Sequence, residues 1–191
     1  MQPLTEKNLW PLPVYEGVRD EFRRSVIEAK KLRRLTVGPY MTFVFENRLT
    51  VKFQIMEVLR AERATRREQV IEELEGFNTM LPAPGALSST LLIELVGNEV
   101  DVKAELARLT GLAQSVYLQV DGRRVPGEFD QGRDDGTKVS AVQYVRFAMG
   151  KLERPFVAST VELVVDHPHY RHRLTLSDDV KRSLAADLEG P

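Results

Sequence analysis

The stretch FENRLTVKFQIMEVLRAER, Phe45 to Arg63, sets the architecture. At about 100° per residue, Leu49, Val51, Phe53, Ile55, Met56, Val58 and Leu59 cover most of the circumference of a helix from Arg48 to Arg63. A helix that is apolar nearly all round belongs inside a protein. The remaining strip holds Asn47, Thr50, Gln54, Glu57 and Ala61, with no Lys or Arg. Solvent-facing strips normally carry long charged chains, so short amides and one carboxylate predict a strip turned toward protein or a cavity. A buried carboxylate needs a partner. Arg60, three residues after Glu57, is the nearest cation on the helix surface. Glu46, Asn47, Arg48, Gln54, Glu57 and Arg60 are therefore the candidate polar pocket. Perturbed carboxylates gather in functional pockets, although a purely structural network around these residues is the simpler reading.

Upstream, residues 1–13 predict an irregular arm, since Pro3, Pro11 and Pro13 oppose a helix and Trp10 can pin the arm to the body. From Tyr15, Val18, Phe22, Val26, Ala29 and Leu32 recur at helical spacing. Lys30, Lys31, Arg33 and Arg34 fall at the end of that helix, where the macrodipole favours cations. Gly38 and Pro39 then punctuate, and Met41–Phe45 reads as a strand.

Downstream, Thr65 and Glu68 form a capping-box pattern opening a third helix that buries Val70, Ile71, Leu74 and Phe77. A loop follows to Ser89. Thr90–Val96 reads as a strand, with Gly97-Asn98 as a turn. Val102, Leu106 and Leu109 make a short helix stopped by Gly111. Val116, Leu118 and Val120 alternate before the hairpin signal Asp121-Gly122. Residues 128–137, centred on the polar DQGRDDG, predict a mobile loop. Val139–Phe147 is apolar on both faces, as a central strand would be. Val161–Val165 and Leu174 with Leu176 supply two more strands. Ser177 caps a last helix carrying Val180, Leu184 and Leu188. Helices before strands predict a single α+β domain over 1–191, its largely antiparallel sheet packed against N-terminal helices and a C-terminal helix.

The 191 residues include 27 Lys and Arg against 28 Asp and Glu, a net charge of −1. Nucleic-acid binders held by phosphate contacts usually show a basic excess, so nucleic acid is the weakest partner class, reached if at all through Arg19, Arg23, Lys30 and Arg34 of the first helix. No cysteine is present, which removes thiolate metal sites, iron–sulfur ligation and cysteine nucleophiles. No G-x-S-x-G, glycine-rich phosphate loop or H-E-x-x-H pattern occurs. The N-terminus lacks a signal-peptide pattern and no run of residues is long and apolar enough to cross a bilayer, so the expected location is cytoplasmic, with no membrane partner.

All three histidines lie in HPHYRH, His167–His172. His167 and His169 would point to one side of an extended chain, and His172 could return after a turn. With Asp166 or Glu57 they could hold a divalent ion such as iron, zinc or manganese. Asp166 could instead orient His167 for acid–base work. The plainer reading is a strand end and turn, with rings, Tyr170 and Arg171 on a contact surface.

The stretch from Phe45 to Arg63 resembles the signature of an uncharacterised bacterial family, domain of unknown function 3501. The resemblance continues through KKLRRLTVGP, EELEGFNTMLP, SSTLLIEL, TKVSAVQYVRF, DHPHYRH and LAADL. The resemblance implies a gene neighbourhood, since members of that family are often encoded beside a rubrerythrin-like di-iron protein and an iron–sulfur oxidoreductase. The resemblance thus implies an accessory role near peroxide or iron handling, with those two proteins as expected partners. Two departures stand out: Gln143 occupies a position where the family pattern implies a His, and His169 and His172 lie outside its Asp-His-Pro-x-Tyr pattern. The leading expectation is a non-catalytic accessory or binding protein in such a redox pathway. Its rivals are a metal-binding protein or metal-dependent enzyme using the three histidines, and a nucleic-acid binder.

Overall fold

The computed structural model describes residues 1–96 and 101–189. Five helices and nine strands follow in the order α1 (Leu12–Lys31), β1 (Arg34–Val37), β2 (Met41–Phe45), α2 (Arg48–Ala61), α3 (Arg67–Asn78), β3 (Ala86–Ile93), α4 (Val102–Arg108), β4 (Val116–Val120), β5 (Arg123–Pro126), β6 (Glu128–Phe129), β7 (Val142–Ala148), β8 (Val161–His167), β9 (Tyr170–Thr175) and α5 (Asp178–Glu189). The class is α+β, and every strand pairing is antiparallel. Two sheets form where one was expected, ordered β1-β2-β3-β7-β6 and β5-β4-β8-β9.

The sheets pack face to face around one core. Met41, Phe43 and Phe45, Leu87 and Leu91, and Val145 and Phe147 from the first sheet meet Leu118, Leu163 and Val165 from the second. The chain crosses from second sheet to first at Gly127. Its N–H still bonds Val116 O in the second sheet, and the next residues are β6 of the first. A Cβ there would sit 2.8 Å from Val145 Cγ1 and 3.2 Å from Val116 O, so only glycine fits so close a crossing.

Helices α1–α3 cover the other face of the first sheet, where Val51, Ile55, Leu59, Leu74 and Tyr144 make a second cluster. No residue of α2 before Ala61 is exposed, which is what an all-round apolar helix requires. Helix α4 closes the end of the second sheet where Val116 pairs with Val165, placing Leu109 and Leu112 in the core. Helix α5 closes the opposite end with Val180 and Leu184.

Several sequence expectations change. Helix α1 starts at Leu12, inside the expected arm, because Pro13 lies in the first turn, where its missing N–H costs nothing. The rest of the arm contains a short 3-10 turn, Glu6–Asn8, and Leu4 is buried. Trp10 does pin it: Lys52 Nζ lies 3.4 Å from its ring centroid, and Phe22 meets it edge-on. Lys30 and Lys31 do sit in the last turn of α1, but Arg34 opens β1. Helix α3 starts after Arg66, not Thr65, because Gln69 Oε1 accepts the Arg66 N–H. Strand β3 begins at Ala86 within the expected loop, and the Gly97-Asn98 turn lies outside the described residues. The segment expected as a mobile loop contains β6 and, beyond it, a bridge between Asp134 and Val139. Strand β7 is not apolar on both faces: Val145 and Phe147 point inward, while Tyr144 and Arg146 face the helices. Strand β8 runs two residues past Val165, to His167.

Candidate functional site

The six residues of the expected polar pocket do not converge; they serve separate networks on and around α2. At its start, Asn47 caps the helix by accepting the Thr50 N–H at 3.0 Å while Thr50 Oγ1 accepts the Asn47 N–H at 2.9 Å. Glu46, 2% exposed, accepts from the Thr50 hydroxyl, from Gln54 Nε2 at 3.1 Å and from the Thr90 hydroxyl at 2.7 Å. Three neutral donors thus satisfy a buried carboxylate and fasten α2 to β3. Arg48 reaches the Gln2 and Pro3 carbonyls, holding the arm.

At the far end of α2, Glu57 accepts Arg19 Nε and Nη2 at 2.8 and 2.7 Å and the Tyr15 hydroxyl at 2.8 Å. Its partner is therefore Arg19 of α1 and not Arg60, which pairs with Glu16 at 2.8 Å. A bidentate guanidinium across two helices fixes both charged groups, as a single i,i+3 contact does not. Arg19's hydrogen bonds, seconded by the Tyr15 hydroxyl, hold the Glu57 carboxyl down at about 2. Burial, and then the neighbouring carboxylate, push the Tyr15 phenol up. Two of the four cations expected to meet nucleic acid are thereby engaged, Arg19 with Glu57 and Arg34 with Glu94 at 2.6 Å. Arg33 is almost fully buried and clasps Asp187 with Nη1 and Nη2 at 2.6 and 3.0 Å, tying the α1–β1 turn to α5.

Of the histidines, His167 and His169 stay side by side, ring centroids 5.7 Å apart, while His172 packs elsewhere. Pro168-His169 is the two-residue turn between β8 and β9. His167, 4% exposed, reaches Thr110 O through Nε2 at 3.1 Å, and its Nδ1 accepts the His169 N–H at 3.3 Å. A carbonyl can only accept, so the proton sits on Nε2 and both ring nitrogens are occupied. His172 lies against Tyr170, ring centroids 4.6 Å apart, and over Gly38. The Tyr170 hydroxyl donates to Val37 O at 2.6 Å and accepts from the Tyr40 and Met41 N–H groups at 3.2 Å. HPHYRH is thus a joint: Tyr170 and His172 tie β9 to the β1–β2 turn, and His167 braces the segment after α4. Among the described residues, no three His, Asp or Glu side chains converge to hold a metal ion.

The braced segment forms one wall of a groove of about 500 Å³ at the end of the sandwich. Leu112 and Gln114 of that segment, Phe129 of β6, Gln131 and Val139 from the chain between β6 and β7, and Gln143 of β7 line it. Asp134 links the walls by accepting Gly111 N–H at 2.9 Å and Gly136 N–H at 3.0 Å. Gln143 lies on the same face of β7 as Val145 and Phe147 and is 2% exposed. Its Nε2 donates to Arg133 O at 3.1 Å and Ser140 O at 2.9 Å. Among the described residues its Oε1 accepts nothing, and it is not sealed from solvent. In the sequence, Gln143 stands out only against the family pattern. The physical signal was available in VQYVRF, where an amide shares the alternating face of Val145 and Phe147.

The model of the family described as Protein of unknown function (DUF3501) matches residues 3–188, and the chain belongs to that family. A crystal structure of a protein of unknown function from Burkholderia pseudomallei is similar at 33% identity and a TM-score of 0.90, covering 98% of this chain and 100% of that one. Among curated proteins no relative matches.

Proposed function

We propose that this member of the family is a non-catalytic binding protein that acts as an accessory in a redox pathway, with the groove below Thr110–Gln114 as its ligand site. The observation that supports the reading is the buried Gln143 amide, oriented by two backbone carbonyls, with its own oxygen left for an occupant. Small-molecule sites combine mostly apolar walls with a few fixed polar groups in clefts of about 300–1,000 Å³. The acid–base groups singled out in the sequence are engaged elsewhere: Glu46, Glu57 and His167 each take protein partners that join two elements.

The pathway comes from the family resemblance, which puts a rubrerythrin-like di-iron protein and an iron–sulfur oxidoreductase beside its members. Capture of the chain from native cells tests this part. Enrichment of either protein over a control capture is the expected result, and a capture that returns neither overturns the pathway assignment. No helix among the described residues is long and apolar enough to cross a membrane.

A further inference from the structure

Resting on the reading of the groove as the binding site, we propose that its occupant is a small neutral or cationic molecule with an apolar body and an N–H donor, which Gln143 Oε1 receives. Both carbonyls that flank the Gln143 amide are acceptors, so the amide has one orientation and its oxygen is the atom left over. A ligand without a donor would cover this oxygen and leave it unpaired, and buried unpaired polar atoms are costly. Sites built around such an atom discriminate strongly for that reason.

Charge selects in the same direction. Asp130 and Asp134 line the groove, Asp130 paired with Arg146 Nη2 at 3.3 Å, and among the described residues no Lys or Arg lines it. Arg133 is turned away, its guanidinium 4.2 Å from the Tyr144 ring centroid and bonded to Val142 O, while Lys138 lines the adjoining cleft. A phosphate or carboxylate would therefore meet a carbonyl oxygen below and two carboxylates beside it. Leu112, Phe129 and Val139 supply the contact for an apolar or planar body.

Three probes of one shape separate these requirements: benzamide (neutral, donor), benzamidine (cationic, donor) and benzoate (anionic, no donor). Titrated into isotope-labelled protein, the first two should shift the Gln143 side-chain amide and the Gly111 and Gly132 N–H resonances saturably. Benzoate should bind at least about tenfold more weakly, the scale of one lost hydrogen bond. Gln143→Leu should remove the preference for benzamide over benzoate. Because Gln143 also braces residues 133–140, Phe129→Ala serves as a second variant. It leaves those hydrogen bonds in place and should weaken benzamide severalfold. Benzoate binding in the groove as tightly as benzamide overturns the ligand class and leaves the groove standing. No saturable shift at the groove with any probe overturns both.

Discussion

The joint between the sheets and the groove beside it are built from the same kinds of residue and end in opposite states. At the joint, the Tyr170 hydroxyl makes three hydrogen bonds to backbone and His167 uses both ring nitrogens. In the groove, Gln143 is as buried as His167, yet one of its polar atoms has no partner among the described residues. Both ends of α2 follow the joint, with Glu46 and Glu57 fully occupied by donors. A buried polar group satisfied on every side holds elements together, whereas one with an open acceptor is where the proposed ligand would bond. Burial alone does not distinguish them; counting the bonds does.

The contrast can be broken at several places. The largest effect is expected from Asp187→Ala, which leaves Arg33 buried without its partner and should cost about 3–5 kcal/mol in denaturant unfolding. The double variant Arg33→Met with Asp187→Leu should recover most of that loss. An equal cost for both would show that the pair is not acting as a unit. Next comes Gly38→Ala. Residue 38 has φ +71° and a Cβ would lie 2.5 Å from the His172 ring and the Tyr170 hydroxyl. A destabilisation of roughly 2–4 kcal/mol is expected from strain and overpacking, and a change below about 0.5 kcal/mol would show that the joint gives way freely.

A smaller effect concerns pH. The Glu57 carboxyl is held at about 2, below its ordinary value. A group depressed in the folded state stabilises above its unfolded pKa, and that contribution is lost as pH falls from about 5 toward 2. Because Glu57 is part-exposed, about 1 kcal/mol is expected. Glu57→Gln should flatten this part of the stability–pH curve, and an unchanged slope would assign the acid sensitivity to other carboxylates. The smallest effect is expected from Arg60→Met, below about 0.5 kcal/mol, since the side chains of the Arg60–Glu16 pair are part-exposed. A loss approaching that of a buried pair would return Arg60 to the position of Glu57's partner.

The buried character of α2, the cap at Ser177, the hairpin at Asp121-Gly122 and the α+β class were legible because each depends on periodicity or on local turn chemistry. Of the strip on α2, Thr50 is buried and Asn47, Gln54 and Glu57 are half-buried, while Ala61 is exposed. The strip's partners were less legible: Arg60 is near in sequence, but Arg19, 38 residues away, is near in space. The two-sheet arrangement was hidden for a similar reason, since the crossing at Gly127 occupies a single residue with no periodic signal. His172 looked like a member of one cluster with His167 and His169 because a linear chain shows neighbours and not directions. In the fold, a two-residue turn sends His169 to the tip, His167 toward Thr110 and His172 over Gly38.

By itself, then, the sequence determined which segments must be buried and where the chain must turn, since side-chain hydrophobicity and backbone dihedral preferences act locally. Which carboxylate meets which cation, and which buried amide keeps an oxygen free, was decided only by the tertiary structure. Hydrogen bonds are directional and act over about 3 Å, so their partners are set by elements far apart in the chain.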